Sequence, residues 1–241
     1  MMRRRPVLLL VLTLLAAPLA ARAADVPASA APAPTAAPSP STGERAFLAT
    51  IMRELPKRYP SPAAATKAGY VRFTNEDRTG AISYANSGRS WTATDPLVPS
   101  QLWYDVAGRL IGADYSVLQS AVAPGAKPSV LGIDSQRFGP IGAHVHYVTC
   151  DKATATCTYG KAVGAKKYAD ANGGDAGHPT AAGLVNAGAV KDAAAVSAVF
   201  LYPAIFDAAV WVVPNPLGQF ADKNPAVTPS PHAGKGEDEP L

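Results

Sequence analysis

The feature that most constrains the fold is a series of strand-like segments between residues 70 and 213, with helical segments grouped apart from them. In each segment, β-branched and aromatic residues alternate or cluster between turn signals. The predicted strands are 70–74, 81–85, 101–106, 109–117, 143–150, 157–163, 200–202 and 208–213. Because helices do not alternate regularly with these strands, the pattern predicts an α+β fold: a single domain with a mostly antiparallel sheet and flanking short helices.

The helices are predicted from apolar periodicity and from their end signals. Ser41 and Glu44 have the spacing of a capping box, and apolar residues then recur at helical spacing until Pro56. Three further helices are expected after Ser61, after Thr180 and after Lys191. Their predicted ranges are 62–68, 180–187 and 192–198.

Residues 1–23 have the three-part layout of a secretory signal peptide. Three arginines precede an apolar run over 7–15, and 21–23 read Ala-Arg-Ala, a small-x-small cleavage site. The run is shorter than the roughly 20 residues that a membrane-spanning helix needs. We therefore expect an exported protein without a membrane span, located in the periplasm or outside the cell.

Composition sets the expected limits of the domain. Residues 24–40 are almost entirely Ala, Pro and Ser, and 228–241 contain three prolines, three acids and no aromatic residue. Such tracts bury too little apolar surface to offset the entropy of ordering, so we expect a disordered tether, a globular domain over 41–227 and a disordered tail.

The positive charge of the chain belongs largely to its predicted signal peptide. The full sequence has 22 basic and 18 acidic residues, and cleavage after Ala23 removes four basic residues and no acidic one. The mature chain then has a formal net charge of zero. Nucleic acid is therefore not an expected partner.

Cys150 and Cys157 are the only cysteines, and they enclose six residues, 151–156. An even cysteine pair that flanks a hairpin loop in an exported protein indicates a disulfide. The spacing is not C-x-x-C, which makes a redox-active pair a weaker interpretation, and an oxidising compartment disfavours a metal thiolate.

The sequence 142–147, Gly-Ala-His-Val-His-Tyr, places two histidines two residues apart on a predicted strand. Side chains at that spacing share a face, so His144 and His146 project the same way and two imidazoles can converge on one metal ion. Zinc, copper, iron and nickel all accept imidazole, and zinc or copper is the expected cofactor. Alternatively, the two histidines are polar residues of a half-exposed strand that only hydrogen-bond to water or neighbours.

A carboxylate usually completes such a ligand set. Asp114 and Asp105, on the central predicted hairpin, are the acids expected to support the histidines; Asp134 and Glu76 are further candidates. Glu76 and Asp77 are adjacent acids before Gly80, an arrangement more typical of a turn than of an acid–base pair.

Several catalytic signatures do not occur in the sequence. It contains no G-x-S-x-G, S-x-x-K, H-E-x-x-H, P-loop or G-x-G-x-x-G motif, and no C-x-x-C-H haem attachment site. No reaction class is therefore indicated by a motif.

Residues 101–117, QLWYDVAGRLIGADYSV, resemble part of a known family. The run Arg-Leu-Ile-Gly-Ala-Asp-Tyr is similar to the R-L-I-G-x-E-Y stretch of the oil-body-associated protein family, a domain of unknown function. The later H-x-H-x-Y strand of that family is matched by His144, His146 and Tyr147 with one residue fewer, and its Pro-rich segment by 213–218. Asp114 replaces the family's glutamate, and the cysteine pair, signal peptide and tether are not part of that pattern. The resemblance implies a related fold and an important histidine strand, but no activity.

Together these observations predict a non-catalytic exported domain that binds a small ligand or a metal ion through the face carrying His144 and His146. Two alternatives remain open. One is a metal-dependent enzyme with the same histidines and an acid as ligands and a water as nucleophile. The other is an envelope interaction protein in which the histidines bind no metal.

Overall fold

A computed structural model describes residues 36–86 and 91–234. The predicted signal peptide, 1–23, and most of the predicted tether lie outside the described residues. Four α-helices occur in the described part of the chain. They are α1 (Thr42–Arg58), α2 (Pro62–Lys67), α3 (Ala165–Ala171) and α4 (Ala181–Asn186).

The described residues form two sheets, and every strand pair in them is antiparallel. The larger sheet has six strands in the order β1-β2-β3-β4-β9-β5 and the smaller has three in the order β7-β6-β8. The strands are β1 (Val71–Arg72), β2 (Ile82–Ala85), β3 (Gln101–Tyr104), β4 (Leu110–Leu118), β5 (Gly139–Ile141), β6 (His144–Asp151), β7 (Thr156–Gly164), β8 (Val196–Tyr202) and β9 (Ile205–Trp211). This is the α+β architecture with antiparallel sheets that the sequence predicts.

α1 begins with the predicted capping box. The Ser41 hydroxyl accepts from the Glu44 backbone N–H (3.3 Å), and the Glu44 carboxylate accepts from the Ser41 N–H (2.9 Å). The same carboxylate is fully buried and pairs with Arg137 at 2.8 Å. The helix continues through Pro56 to Arg58, two residues past the predicted end.

One face of the larger sheet is apolar and packs on α1. Successive side chains of a strand point to opposite faces, so Leu102, Ala113 and Tyr115 lie on the side opposite Gln101 and Asp114. The buried core on that side includes Phe47, Ile51, Leu55, Leu102, Tyr104, Ala113, Tyr115 and Val210. Every large residue of this cluster is removed from water, so the cluster is the main hydrophobic core of the described chain.

The smaller sheet also has one apolar face. Val145 and Tyr147 of β6 pack with Val163, Tyr168 of α3 and Leu184 of α4. The other face of β6 carries the two histidines, beside Tyr202 and Phe200 of β8. Each sheet therefore keeps one polar or aromatic face that its helices do not cover.

Residues on both sides of the predicted domain, 41–227, make hydrogen bonds within the described chain. Ala37 donates its N–H to Leu217 O at 2.7 Å, and the Pro38 carbonyl accepts from Arg137 at 2.8 Å. At the other end the Ser230 N–H donates to the buried Glu76 carboxylate at 2.7 Å. Backbone hydrogen bonds of this kind do not require apolar side chains, so composition alone gives no sign of them.

The predicted helix at 192–198 also differs from the structure. Only a 3₁₀ turn forms, at Ala193–Ala195, and β8 begins at Val196. Pairing with β6 over the length of that strand outweighs the helical preference of the alanines. No helix in the described part of the chain is both long enough and apolar enough to cross a membrane.

Candidate functional site

The uncovered faces of the two sheets line one cleft of about 330 Å³. From the larger sheet and the segment before β2 come Thr74, Asp77, Ser83, Gln101, Asp114 and Asp207. From β6 and β8 come His144, His146 and Tyr202. The predicted histidines and the predicted Asp114 therefore lie in the same cleft.

The two histidines contact each other directly. Their Nε2 atoms are 2.9 Å apart, and their ring centroids are 4.7 Å apart. The Nδ1 of His144 lies 2.8 Å from the carbonyl oxygen of Gly142. The sequence-based expectation that His144 and His146 share a face is thus confirmed by their geometry.

The hydrogen bonds define the tautomers of the pair. His144 Nδ1 faces a carbonyl oxygen and must carry a proton, so its Nε2 is a lone pair that accepts from the Nε2–H of His146. The Nδ1 of His146 is buried and makes no hydrogen bond of good geometry to a described residue. The Lys161 backbone beside this ring raises its pKa, against the larger lowering caused by burial.

Both imidazoles are more buried than the expected half-exposed strand implies. His144 is 6% exposed and His146 is 7% exposed. Tyr202 stacks on His144 with centroids 4.7 Å apart, and Phe200 stacks on His146 at 5.6 Å. Burial lowers the pKa of His144, and burial together with neighbouring His144 lowers the pKa of His146 to about 3. The pair is therefore neutral at neutral pH, the form in which imidazole coordinates metals.

Opposite the histidines lies a pair of buried carboxyl groups, Asp114 of β4 and Asp207 of β9, which line the same cleft. The register places Asp114 opposite Ala209 and Ser116 opposite Asp207, so the two acids are diagonal neighbours on one face. Burial, and the charge of Asp207 beside it, raise the pKa of Asp114 well above its usual range; burial also raises the pKa of Asp207. Because neighbouring like charges repel in a buried site, the pair favours keeping a proton.

Each carboxyl has a second partner that fixes its orientation. The indole N–H of Trp103 donates to Asp114 at 2.8 Å, and the Ser116 hydroxyl donates to Asp207 at 2.5 Å. Trp103 reaches Asp114 by lying across Gly112, where an added Cβ would be 2.1 Å from the indole ring. A glycine at this position of β4 is therefore required by the site.

The other predicted acids lie elsewhere. Asp105 belongs to the turn between β3 and β4, where it accepts from the Arg109 backbone N–H (2.9 Å) and from its guanidinium (3.0 Å). Asp134 occupies the position before a short 3₁₀ turn without a capping side-chain hydrogen bond, and the Glu76 carboxylate accepts from Ser230. None of these three lines the cleft.

Asp77 and Asp207 are residues of the cleft that the sequence did not single out as ligands. Asp77 forms the turn that was predicted for it, accepting from the backbone N–H groups of Thr79 (2.7 Å) and Ala81 (3.0 Å). That turn lies at the edge of the cleft. Asp207 had one sequence signal: it is the single charged residue between the apolar segments 196–206 and 208–213.

The polar composition of the cleft favours a cation. Its lining includes Asp77, Asp114 and Asp207, and none of the lining residues in the described chain is Lys or Arg. A phosphate or carboxylate ligand would find no opposite charge there. Within residues 36–86 and 91–234, however, no group of three or more His, Cys, Asp or Glu side chains is close enough together to hold a metal ion.

Cys150 and Cys157 lie directly opposite each other on β6 and β7, at the end of the hairpin away from the histidines. Their sulfur atoms are 2.03 Å apart, a disulfide-bonding distance. The pair therefore joins the two ends of the six-residue loop, as the sequence predicts.

Comparisons of the chain with models of protein families, with curated proteins and with solved structures found no match. A function for this chain has to be argued from the cleft itself.

Proposed function

We propose that this protein is an exported domain that binds one divalent transition-metal ion, zinc or copper, in the cleft between its two sheets. His144 and His146 are the primary ligands, and the Asp114–Asp207 pair supplies the supporting negative charge. The observation that carries the proposal is the 2.9 Å approach of two neutral Nε2 atoms in a cleft rich in acids.

The spacing of the two Nε2 atoms suits a shared metal ion. At zinc–nitrogen distances of about 2.0–2.1 Å, two ligands of a tetrahedral ion are about 3.3 Å apart. The pair needs to open by about 0.4 Å, and the proton on Nε2 of His146 moves to Nδ1 of the same ring, so that both neutral imidazoles present an Nε2 lone pair to the ion. The Gly142 carbonyl accepts from Nδ1 of His144, and a metal-binding imidazole usually donates its other ring N–H in this way, which fixes the orientation of the ring.

Export is part of the proposal. It is supported by the signal-peptide layout of residues 1–23 and by the two cysteines at disulfide distance, which suit an oxidising compartment. A relationship to the oil-body-associated family is likewise proposed, on the resemblance at 101–117 and at the histidine strand.

Metal titration tests the function. Purified mature protein, stripped of metal, is titrated with zinc and with copper(II) by calorimetry at pH 7.5. We expect one ion per chain, and at least a tenfold loss of affinity in His146→Gln, which keeps a donor facing His144 but removes a ligand. His178→Gln is the matched control, because the His178 side chain is 92% exposed and outside the cleft. Equal affinity in wild type and in the His144→Gln/His146→Gln double variant would overturn the proposal.

A metal-dependent enzyme is the second candidate. It is favoured by the size of the cleft, about 330 Å³, which leaves room beside one ion. A hydrolase screen of the zinc-loaded protein distinguishes the two candidates: turnover that is lost in Asp207→Asn while zinc remains bound would indicate an enzyme. An interaction protein without metal is the third alternative, and absence of zinc and copper binding would favour it.

A further inference from the structure

An apolar cavity of about 270 Å³ lies apart from the polar cleft, between β1 and β2 of the larger sheet and β8 of the smaller one. Its walls include Val71, Phe73, Ala85, Trp91, Phe200 and Tyr202. The rings of Phe73 and Tyr202 separate this cavity from the cleft, so we treat it as a second, independent space.

The cavity offers little to hold water. None of the described side chains that line it is charged, and only those of Trp91 and Tyr202 carry a polar atom. The Tyr202 hydroxyl already accepts a hydrogen bond from the Gln101 amide. A water molecule in a cavity needs two to four polar partners, so water is poorly held here and its displacement by an apolar group is favourable.

The aromatic rings of the walls meet at different angles. Trp91 lies edge-on to Tyr202 with centroids 4.9 Å apart, whereas Phe73 is nearly parallel to Tyr202 at 6.0 Å. Phe200 lies edge-on to Phe73. Aromatic pairs prefer offset-stacked or edge-to-face contacts, and a ring that enters this cavity finds both kinds of partner.

The volume and the solvent boundary of the cavity limit the size of its ligand. An apolar cavity of about 150 Å³ is large enough for benzene, whereas drug-sized ligands occupy pockets of about 300–1,000 Å³. A space of about 270 Å³ therefore fits one ring with a short substituent. Val71 is 62% exposed, so the cavity borders solvent at the beginning of β1.

We infer that this cavity is a binding site for a small, uncharged compound with one aromatic ring. The ring lies among Phe73, Trp91 and Phe200 and replaces the poorly held water. This inference does not rest on the proposed metal binding, and it gives the protein a second ligand at a separate site.

Titration with benzyl alcohol and with benzoate tests the inference. Each compound is titrated by calorimetry into the purified mature protein in buffer that contains EDTA, so that no metal ion takes part. We expect one benzyl alcohol per chain. Benzoate should bind at least tenfold more weakly, because its charge is attached directly to the ring and would lie against walls without an opposite charge.

Two variants locate the bound ring. Val71→Asp places a charge in the wall of the cavity and should weaken benzyl alcohol binding at least tenfold. Val106→Asp is the matched control, because Val106 is 60% exposed and does not line the cavity, and it should bind as the wild type does. Ala85→Leu fills the cavity from the buried side of β2 and should abolish binding. Circular dichroism checks the fold of each variant; if Ala85→Leu does not fold, the two valine variants decide.

Three results would overturn the inference: no saturable binding of benzyl alcohol to the wild type, equal affinity for benzoate, or equal losses in Val71→Asp and Val106→Asp. Any of these leaves the proposed metal binding untouched, because EDTA is present throughout. Conversely, a protein that binds benzyl alcohol but neither zinc nor copper would retain this site and lose the proposed function.

Discussion

Trp103 lies across Gly112 on the neighbouring strand and donates its indole N–H to Asp114 at 2.8 Å. Because Gly112 has no side chain, the indole can lie over it and reach the Asp114 carboxyl on the face of the sheet that lines the cleft. The position of Asp114 therefore depends on a residue that makes no polar side-chain contact of its own.

Replacing Gly112 with Ala should displace Trp103, because the new Cβ would overlap the ring at 2.1 Å. Such overpacking costs about 1–3 kcal/mol, and we expect a loss of that size in the free energy of unfolding measured with urea. Gly139→Ala is the matched control, since a Cβ there meets no atom within 4 Å. Equal losses in the two variants would show that Trp103 is not held as described.

The buried imidazole of His146 makes stability depend on pH. Its pKa is lowered to about 3 in the folded chain, mainly by burial, against about 6.5 when unfolded. Between these values the unfolded chain binds the extra proton, so stability is full above about pH 6.5 and falls below it, by up to about 1.4 kcal/mol per pH unit. Urea denaturation of the metal-free protein at pH 7, 6, 5 and 4.5 measures this slope.

His146→Gln should reduce the slope between pH 6.5 and 4.5, because the amide does not titrate. His178→Gln is the matched control, because that side chain is 92% exposed and lies outside the cleft. If His146→Gln retains the full slope, groups other than this imidazole are responsible.

Asp114 changes the pH dependence of stability in the opposite direction to His146. Its pKa is raised well above the usual range by burial and by Asp207, so the folded chain keeps a proton that the unfolded chain loses above about pH 4. This contribution is full at low pH and is lost as the pH rises. Asp114→Asn carries amide hydrogens at every pH, so its stability relative to wild type should increase from pH 5 to pH 8. Parallel denaturation midpoints for the two proteins over this range would contradict a proton kept by the pair.

The cysteine pair should contribute to the free energy of unfolding without affecting the distant cleft. Closing the short loop between Cys150 and Cys157 contributes about 2.5 kcal/mol on the chain-entropy model. The double Ser variant should lose up to that amount in the free energy of unfolding while binding zinc as the wild type does, because the pair lies at the far end of the hairpin. Loss of zinc affinity in this variant would mean that the loop positions the histidines.

The sequence predicts those parts of the site that depend only on the alternation of side chains along a strand. His144 and His146 share a face because alternate residues of any strand do, and Asp114 lies in a segment whose strand character is evident. Asp105 has the same local signals but falls one residue beyond β3, in the turn, where Arg109 binds it.

The contacts of Asp207 depend on information that local patterns do not contain. Its partner Ser116 is 91 residues away, and the two meet only because β9 pairs with β4 in one register. The burial of the histidines also depends on distant residues, since Phe73 and Tyr202 come from separate segments. The two-residue repeat of a strand predicts which face a side chain occupies, whereas the order and register of the strands determine which residues lie next to it.

β6 is the middle strand of the smaller sheet, hydrogen-bonded to β7 on one side and to β8 on the other. A slip of one residue would turn Val145 and Tyr147 into the acidic cleft and press both imidazoles into the apolar cluster beneath α3 and α4. Exposing the apolar side chains and burying the imidazoles among apolar ones are both unfavourable, so a shifted register of β6 is less stable than the observed one. The histidines proposed to bind the metal thus also favour one register of β6 in its sheet.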